Sequence, residues 1–151
     1  MKLRHPYIGI VLSLMSSLSV SCFATGAKET GAMLHANYEH PGSAIDLKSF
    51  LSKENDTVLF IHSPHCGPCK KVEPKMKKLA KARTDLKIVD LLLDAPSSKG
   101  IGWDSDAAKQ FDIHAVPYYL IYDPSGKKLA SGDEAETKIE SWMKAVGIKV
   151  D

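Results

Sequence analysis

Cys66 and Cys69, separated by Gly67-Pro68, stand where an apolar run, Thr57-Val58-Leu59-Phe60-Ile61-His62, gives way to a lysine-rich helical pattern. A buried strand must end there, turn at Pro64, and feed a helix whose first turn carries both thiols. At a helix start the unpaired N–H groups and the positive end of the dipole favour thiolate over thiol. Cys66 is therefore expected to be an exposed nucleophile and Cys69, one turn further in, a more buried resolving thiol.

From Pro68 to Ala82 the positions Cys69, Val72, Met76, Leu79 and Ala80 recur at helical spacing, with Lys70, Lys71, Lys75, Lys77, Lys78 and Lys81 opposite. Pro74 inside this helix removes one hydrogen bond. Asp46 caps a short helix running to about Lys53. Leu86 to Leu93 reads as a central strand, Ser105 caps a helix over residues 106–111, and Tyr118 to Tyr122 is a strand joined through Asp123-Pro124-Ser125-Gly126 to a second one, Lys128 to Ser131. A closing helix covers about Glu134 to Val146. This order predicts an α/β domain: a mixed central sheet with helices on both faces.

Lys2 and Arg4 followed by the uncharged stretch Tyr7 to Val20 and by small residues around Ala24 read as a secretory signal peptide over residues 1–24. The stretch is shorter than the ~20 residues that span a bilayer, so no transmembrane segment is expected after processing. Cys22 offers a lipoprotein site, but Ser19 stands where a large apolar residue belongs, and cleavage without lipidation is the favoured expectation. Residues 25–43 lack periodicity and read as a leader, loosely attached or adding an edge element; the domain proper is 44–151. Losing Lys2 and Arg4 brings the 20 basic residues level with the 18 acidic ones, which leaves no basic surface to argue for nucleic acid. With Cys22 in the export region, the domain holds a single C-x-x-C pair, which points to a working site rather than a disulfide framework.

Cys66-Gly67-Pro68-Cys69-Lys70, Pro74 five residues after the second cysteine, Val116-Pro117 before the hairpin and Gly132 after it together resemble the thioredoxin superfamily, specifically its exported thioredoxin and TlpA-like members, across about Ile45 to Gly147. The resemblance implies the thioredoxin fold, with four to five strands, and a cis peptide at Pro117 facing the cysteines. Val116, Pro117 and Tyr118 would then line a groove for an extended substrate. Three positions depart from the family pattern. Phe60 replaces a buried acid of the strand before the site, Asp90 stands in the next strand where a lysine is usual, and His65 replaces the tryptophan before the first cysteine. Asp90 either accepts the Cys69 proton, with its pKa raised by burial, or points outward to water. His65 either borders and favours the thiolate or faces solvent without a role.

Among other chemistries, zinc would need Cys66, Cys69, His65 and His62 to converge, which an alternating strand and a tight cysteine pair oppose, and covalent haem would need histidine where Lys70 stands. No metal and no cofactor are expected. The expectation is a periplasmic thiol-disulfide oxidoreductase, a reductase of protein disulfides supplied by a membrane thiol electron donor. A thiol oxidase of folding proteins and a redox-inactive peptide-binding module are the alternatives.

Overall fold

The computed structural model describes residues 31–150. The expected signal peptide, Cys22 and the start of the leader lie outside the described residues. Within them run strand β1 (Leu34–His35), helix α1 (Leu47–Phe50), β2 (Asp56–His62), α2 (Gly67–Ala82), β3 (Leu86–Leu92), α3 (Asp106–Phe111), β4 (Tyr118–Tyr122), β5 (Lys128–Ser131) and α4 (Gly132–Ala145). The strands form one mixed sheet in the order β1-β3-β2-β4-β5, with β1, β3 and β2 parallel and β4 and β5 antiparallel to their neighbours.

Period-two alternation sorts the central strands onto two cores. Val58 and Phe60 of β2, Leu86 and Ile88 of β3, and Tyr119 and Ile121 of β4 face Met76, Leu79 and Ala80 of α2 and Ala135, Ile139 and Met143 of α4. Leu59, Ile61, Val89, Leu91 and Leu120 point to the opposite face, under Ala107 and Ala108 of α3, with Leu47 and Phe50 of α1 packed alongside. Phe60, Leu59, Ile61 and Met76 have no solvent exposure. Burying each such side chain is worth about 1.5–3 kcal/mol relative to exposure, and this pins the β2–β3–β4 centre of the sheet.

The elements begin where side chains satisfy backbone donors. Asp46 accepts from the Lys48 amide at the start of α1, and Ser105 accepts from the Ala108 amide at the start of α3. α1 is shorter than the expected run to Lys53, because Leu51 turns extended and Ser52 instead bonds Thr57 and the Glu54 and Asn55 amides. α2 continues through Pro74 to Ala82. α4 starts earlier than expected, at Gly132, whose φ of +54° is left-handed and whose missing Cβ leaves room for the Tyr118 ring.

Of the two expectations for the leader, an edge element is the one realised. β1 pairs with β3 through Leu34 opposite Val89 and His35 opposite Asp90. Asn37 then acts as a stand-in for a strand residue: its amide donates to the Leu92 carbonyl (2.9 Å) and accepts from the Leu92 N–H (3.0 Å). The described part of the leader is thus hydrogen-bonded into the sheet edge at residues 34–37.

Candidate active site

The α2 start is built from a turn in which the Cys66 amide donates to the Ser63 carbonyl (3.1 Å) and the His65 amide to the Ser63 hydroxyl (3.0 Å). That turn delivers Cys66 to the N-cap of α2, where its sulfur accepts from the Cys69 N–H at 3.1 Å. Cys66 and Cys69 are joined by a disulfide. Cys69 is the more buried at 1 % exposure, as expected, but Cys66 at 4 % is buried too, contrary to the expected exposed sulfur. The cause is the facing loop: the Val116 carbonyl oxygen lies 3.6 Å from the Cys66 Sγ. The Val116–Pro117 peptide is cis, and both residues are half-buried.

Of the remaining sequence-selected residues, His65 turns away along the surface. Its Nε2 lies 3.3 Å from the Ala95 carbonyl oxygen and 3.6 Å from an Asp94 carboxylate oxygen. Asp94 in turn accepts from the Gly102 N–H and the Ser98 hydroxyl, so His65 ties the loop after β3 to the turn before the thiols. Tyr118 packs with the core on the α1 and α3 face and against Gly132.

Asp90 corrects the sequence reading on both counts. It is fully buried rather than water-facing, and its carboxyl lies below rather than above the usual range. Burial alone would raise it, but hydrogen bonds from His62, His35 and Tyr38, with the His62 ring close by, outweigh that effect. His35 Nδ1 sits 2.9 Å from Oδ1, and the Tyr38 hydroxyl donates to Oδ2 at 2.9 Å. His62 Nε2 is 3.3 Å from Oδ2. Because an ionised carboxylate only accepts, both imidazoles present N–H to it. Partial burial and the Asp90 charge push the Tyr38 phenol up, which keeps it a donor.

His35 and Tyr38 belong to the leader, and sequence reasoning missed them as site neighbours. His62 is packed within the sheet: its ring stacks on Phe60 at 4.6 Å between centroids and 7° between planes. The signal that something must meet Asp90 was available, since a carboxylate flanked by Val89 and Leu91 in a central strand needs donors.

Among the described residues, no group of three or more His, Cys, Asp or Glu side chains is arranged to hold a metal ion, and no helix is long and apolar enough to cross a membrane.

A family model described as thioredoxin matches residues 43–145. Thioredoxin AMT13 of Alternaria alternata is 33 % identical over 76 residues, covering 50 % of this chain and 57 % of that protein. Mitochondrial thioredoxin-3 of Saccharomyces cerevisiae is 31 % identical over 72 residues, covering 47 % of this chain and 50 % of the relative. The chain thus spans about half the length of the curated relatives it matches. Among solved structures, the long form of thioredoxin f from spinach chloroplast superposes with a TM-score of 0.54 at 21 % identity, covering 78 % of this chain and 88 % of the other. That likeness shows the fold.

Proposed function

The chain belongs to the thioredoxin family, and from that premise we propose that it is a periplasmic protein-disulfide reductase working through the dithiol of Cys66 and Cys69. The observation that carries the proposal is the disulfide at the start of α2 with the Val116 carbonyl 3.6 Å from the Cys66 sulfur. That geometry puts one redox sulfur beside a backbone edge on which an extended peptide can pair.

In the reduced protein the α2 N-terminus, including the Cys69 N–H that meets the Cys66 sulfur, stabilises a Cys66 thiolate. This thiolate attacks a substrate disulfide, forming a mixed disulfide and releasing one substrate thiolate. Cys69 then attacks Cys66, forming the intramolecular disulfide and releasing the second substrate thiolate. The substrate gains two electrons and the dithiol loses two. Val116 and Pro117 position the substrate, and His65 fixes the neighbouring loop. An external thiol donor, membrane-borne in this reading, restores the dithiol, and residues 1–24 direct export. The Gly67-Pro68 pair between the cysteines resembles that of reducing family members more than that of oxidising ones, which supports the reducing direction.

Dithiothreitol-driven reduction of insulin tests the proposal. The protein should accelerate insulin precipitation, and Cys66→Ser should abolish the effect. No acceleration by the wild-type protein would leave a redox-inactive peptide-binding module as the better reading.

A further inference from the structure

We propose that the lysine face of α2 is a docking surface for an acidic segment of the polypeptide whose disulfide the dithiol reduces. The inference rests on the dithiol reading above and deepens it by naming the class of substrate that the site selects.

Apart from Lys2 and Arg4 the chain has as many acidic as basic residues, and α2 does not share that balance. Its six lysines stand against one acid, Glu73. Cys69, Met76, Leu79 and Ala80 turn to the core, and helical spacing places the lysines on the opposite side. Lys70, Lys71, Lys77, Lys78 and Lys81 are exposed. They form two columns along the axis, Lys71 with Lys78 and Lys70 with Lys77 and Lys81. Glu73 pairs with Lys77 at 2.6 Å, and among the described residues no ion pair engages Lys70, Lys71, Lys78 or Lys81.

This arrangement works against the helix that carries it. Lys81 repels Lys77 and Lys78 across one turn, and the first turn holds no acid to meet the positive end of the dipole. α4, on the same face of the sheet, is built the other way: Asp133 and Glu134 open it, and Lys144 pairs with Glu140 at 3.6 Å. A helix that forgoes the stabilisation its neighbour takes points to a partner outside the domain.

The columns begin beside the thiols. Lys70 follows Cys69 directly, and Cys66 is the N-cap of the same helix. From Lys70 to Lys81 the axis rises about 16 Å, the reach of about five residues of extended chain. A polypeptide that brings its disulfide to Cys66 can therefore lay neighbouring carboxylates along α2 while the disulfide reacts. The chemistry of the face selects among anions. It holds no arginine, whose planar fork suits phosphate, and no aromatic side chain on which a base could stack. Among the described residues the exposed large apolar side chains are Tyr38, Trp103 and Leu129, none of them on α2, so this face offers nothing to insert into a lipid surface. Carboxylates of a polypeptide are the anions that fit it best. Opposite charge across the encounter raises the association rate, and salt screens the gain.

Three disulfide-bonded peptides that share their cysteines and differ at their flanking positions, all Glu, all Gln or all Lys, test the inference when mixed with the reduced protein, with second-order rate constants read from the thiols released. At low salt the Glu peptide should react about tenfold faster than the Gln peptide and the Lys peptide slower still. At about 1 M salt, where the screening length is about 3 Å, the three should converge. In Lys71→Glu/Lys78→Glu the ratio of the Glu to the Gln rate should fall to one or below, and taking the ratio cancels any change in Cys66 reactivity. Lys71→Gln/Lys78→Gln, which adds no charge, should lower the ratio by a smaller factor. Equal rates for the three peptides in the wild-type protein, or an undiminished ratio in the variants, would overturn the inference and leave the reductase reading standing. Equal peptide rates together with salt-sensitive binding to phosphatidylglycerol vesicles that the variants lose would overturn it in favour of a membrane surface. No reaction with any peptide would defeat the dithiol reading and this inference with it.

Discussion

Asn37→Ala should cost about 2 kcal/mol of unfolding free energy, a large effect for one residue of an otherwise aperiodic leader. Asn37 is 6 % exposed, and its side chain bonds both backbone groups of Leu92 and the Ser43 carbonyl. After truncation the Leu92 carbonyl keeps a donor in the Gly42 N–H at 3.1 Å. The Leu92 N–H keeps no partner, and a buried donor left unpaired costs about 1–3 kcal/mol. The lost bond to Ser43 adds little. Urea unfolding followed by circular dichroism should show a lower midpoint at unchanged slope, and Tm should fall by roughly 5–12 °C for a domain of this size. Hydrogen exchange should quicken at Ala36, whose amide bonds the Asp90 carbonyl across the same edge. A loss below about 0.5 kcal/mol would refute the reasoning, because it would mean that the Leu92 amide is readily hydrated and the leader is not part of the packed sheet.

Asp90 should govern part of the acid limb of stability. Its pKa is lowered in the folded state, so its contribution is fully present above the unfolded value of about 3.9 and is lost as pH falls through the folded value. Unfolding titrations of wild type and Asp90→Asn should therefore diverge above pH ~4 and converge in stronger acid; parallel curves would remove Asp90 from the account. Equilibrium titration of the Cys66–Cys69 pair against glutathione should give a potential near the −270 mV typical of reducing family members, and a value near about −120 mV would make the protein an oxidant.

The sequence was most informative where local chemistry decides structure. Ser105 marked the start of α3, the Asp123-Pro124-Ser125-Gly126 turn marked the β4–β5 hairpin, and the near-continuous apolar runs of β2 and β3 marked strands buried on both faces. Cys66, Cys69, Val116 and Pro117 are legible in the sequence, and the structure places Val116 against Cys66. What escaped was non-local. β1 is two residues long, shows no period of its own, and exists because β3 offers it an edge. The state of Asp90 depends on His35 and Tyr38, more than fifty positions away in sequence, and no local pattern encodes that meeting. The exposure of Cys66 was misjudged for the same reason, since the Val116 loop that covers it arrives from fifty residues downstream.

The central claim is that Cys66 attacks and Cys69 resolves. Cys69→Ala and Cys66→Ala proteins, each reduced and mixed with an excess of a disulfide-bonded peptide, test it by mass spectrometry of the products. The account predicts a stable mixed disulfide on Cys66 in the Cys69→Ala protein and little or none on Cys69 in the Cys66→Ala protein. A mixed disulfide that forms as readily on Cys69 would contradict it.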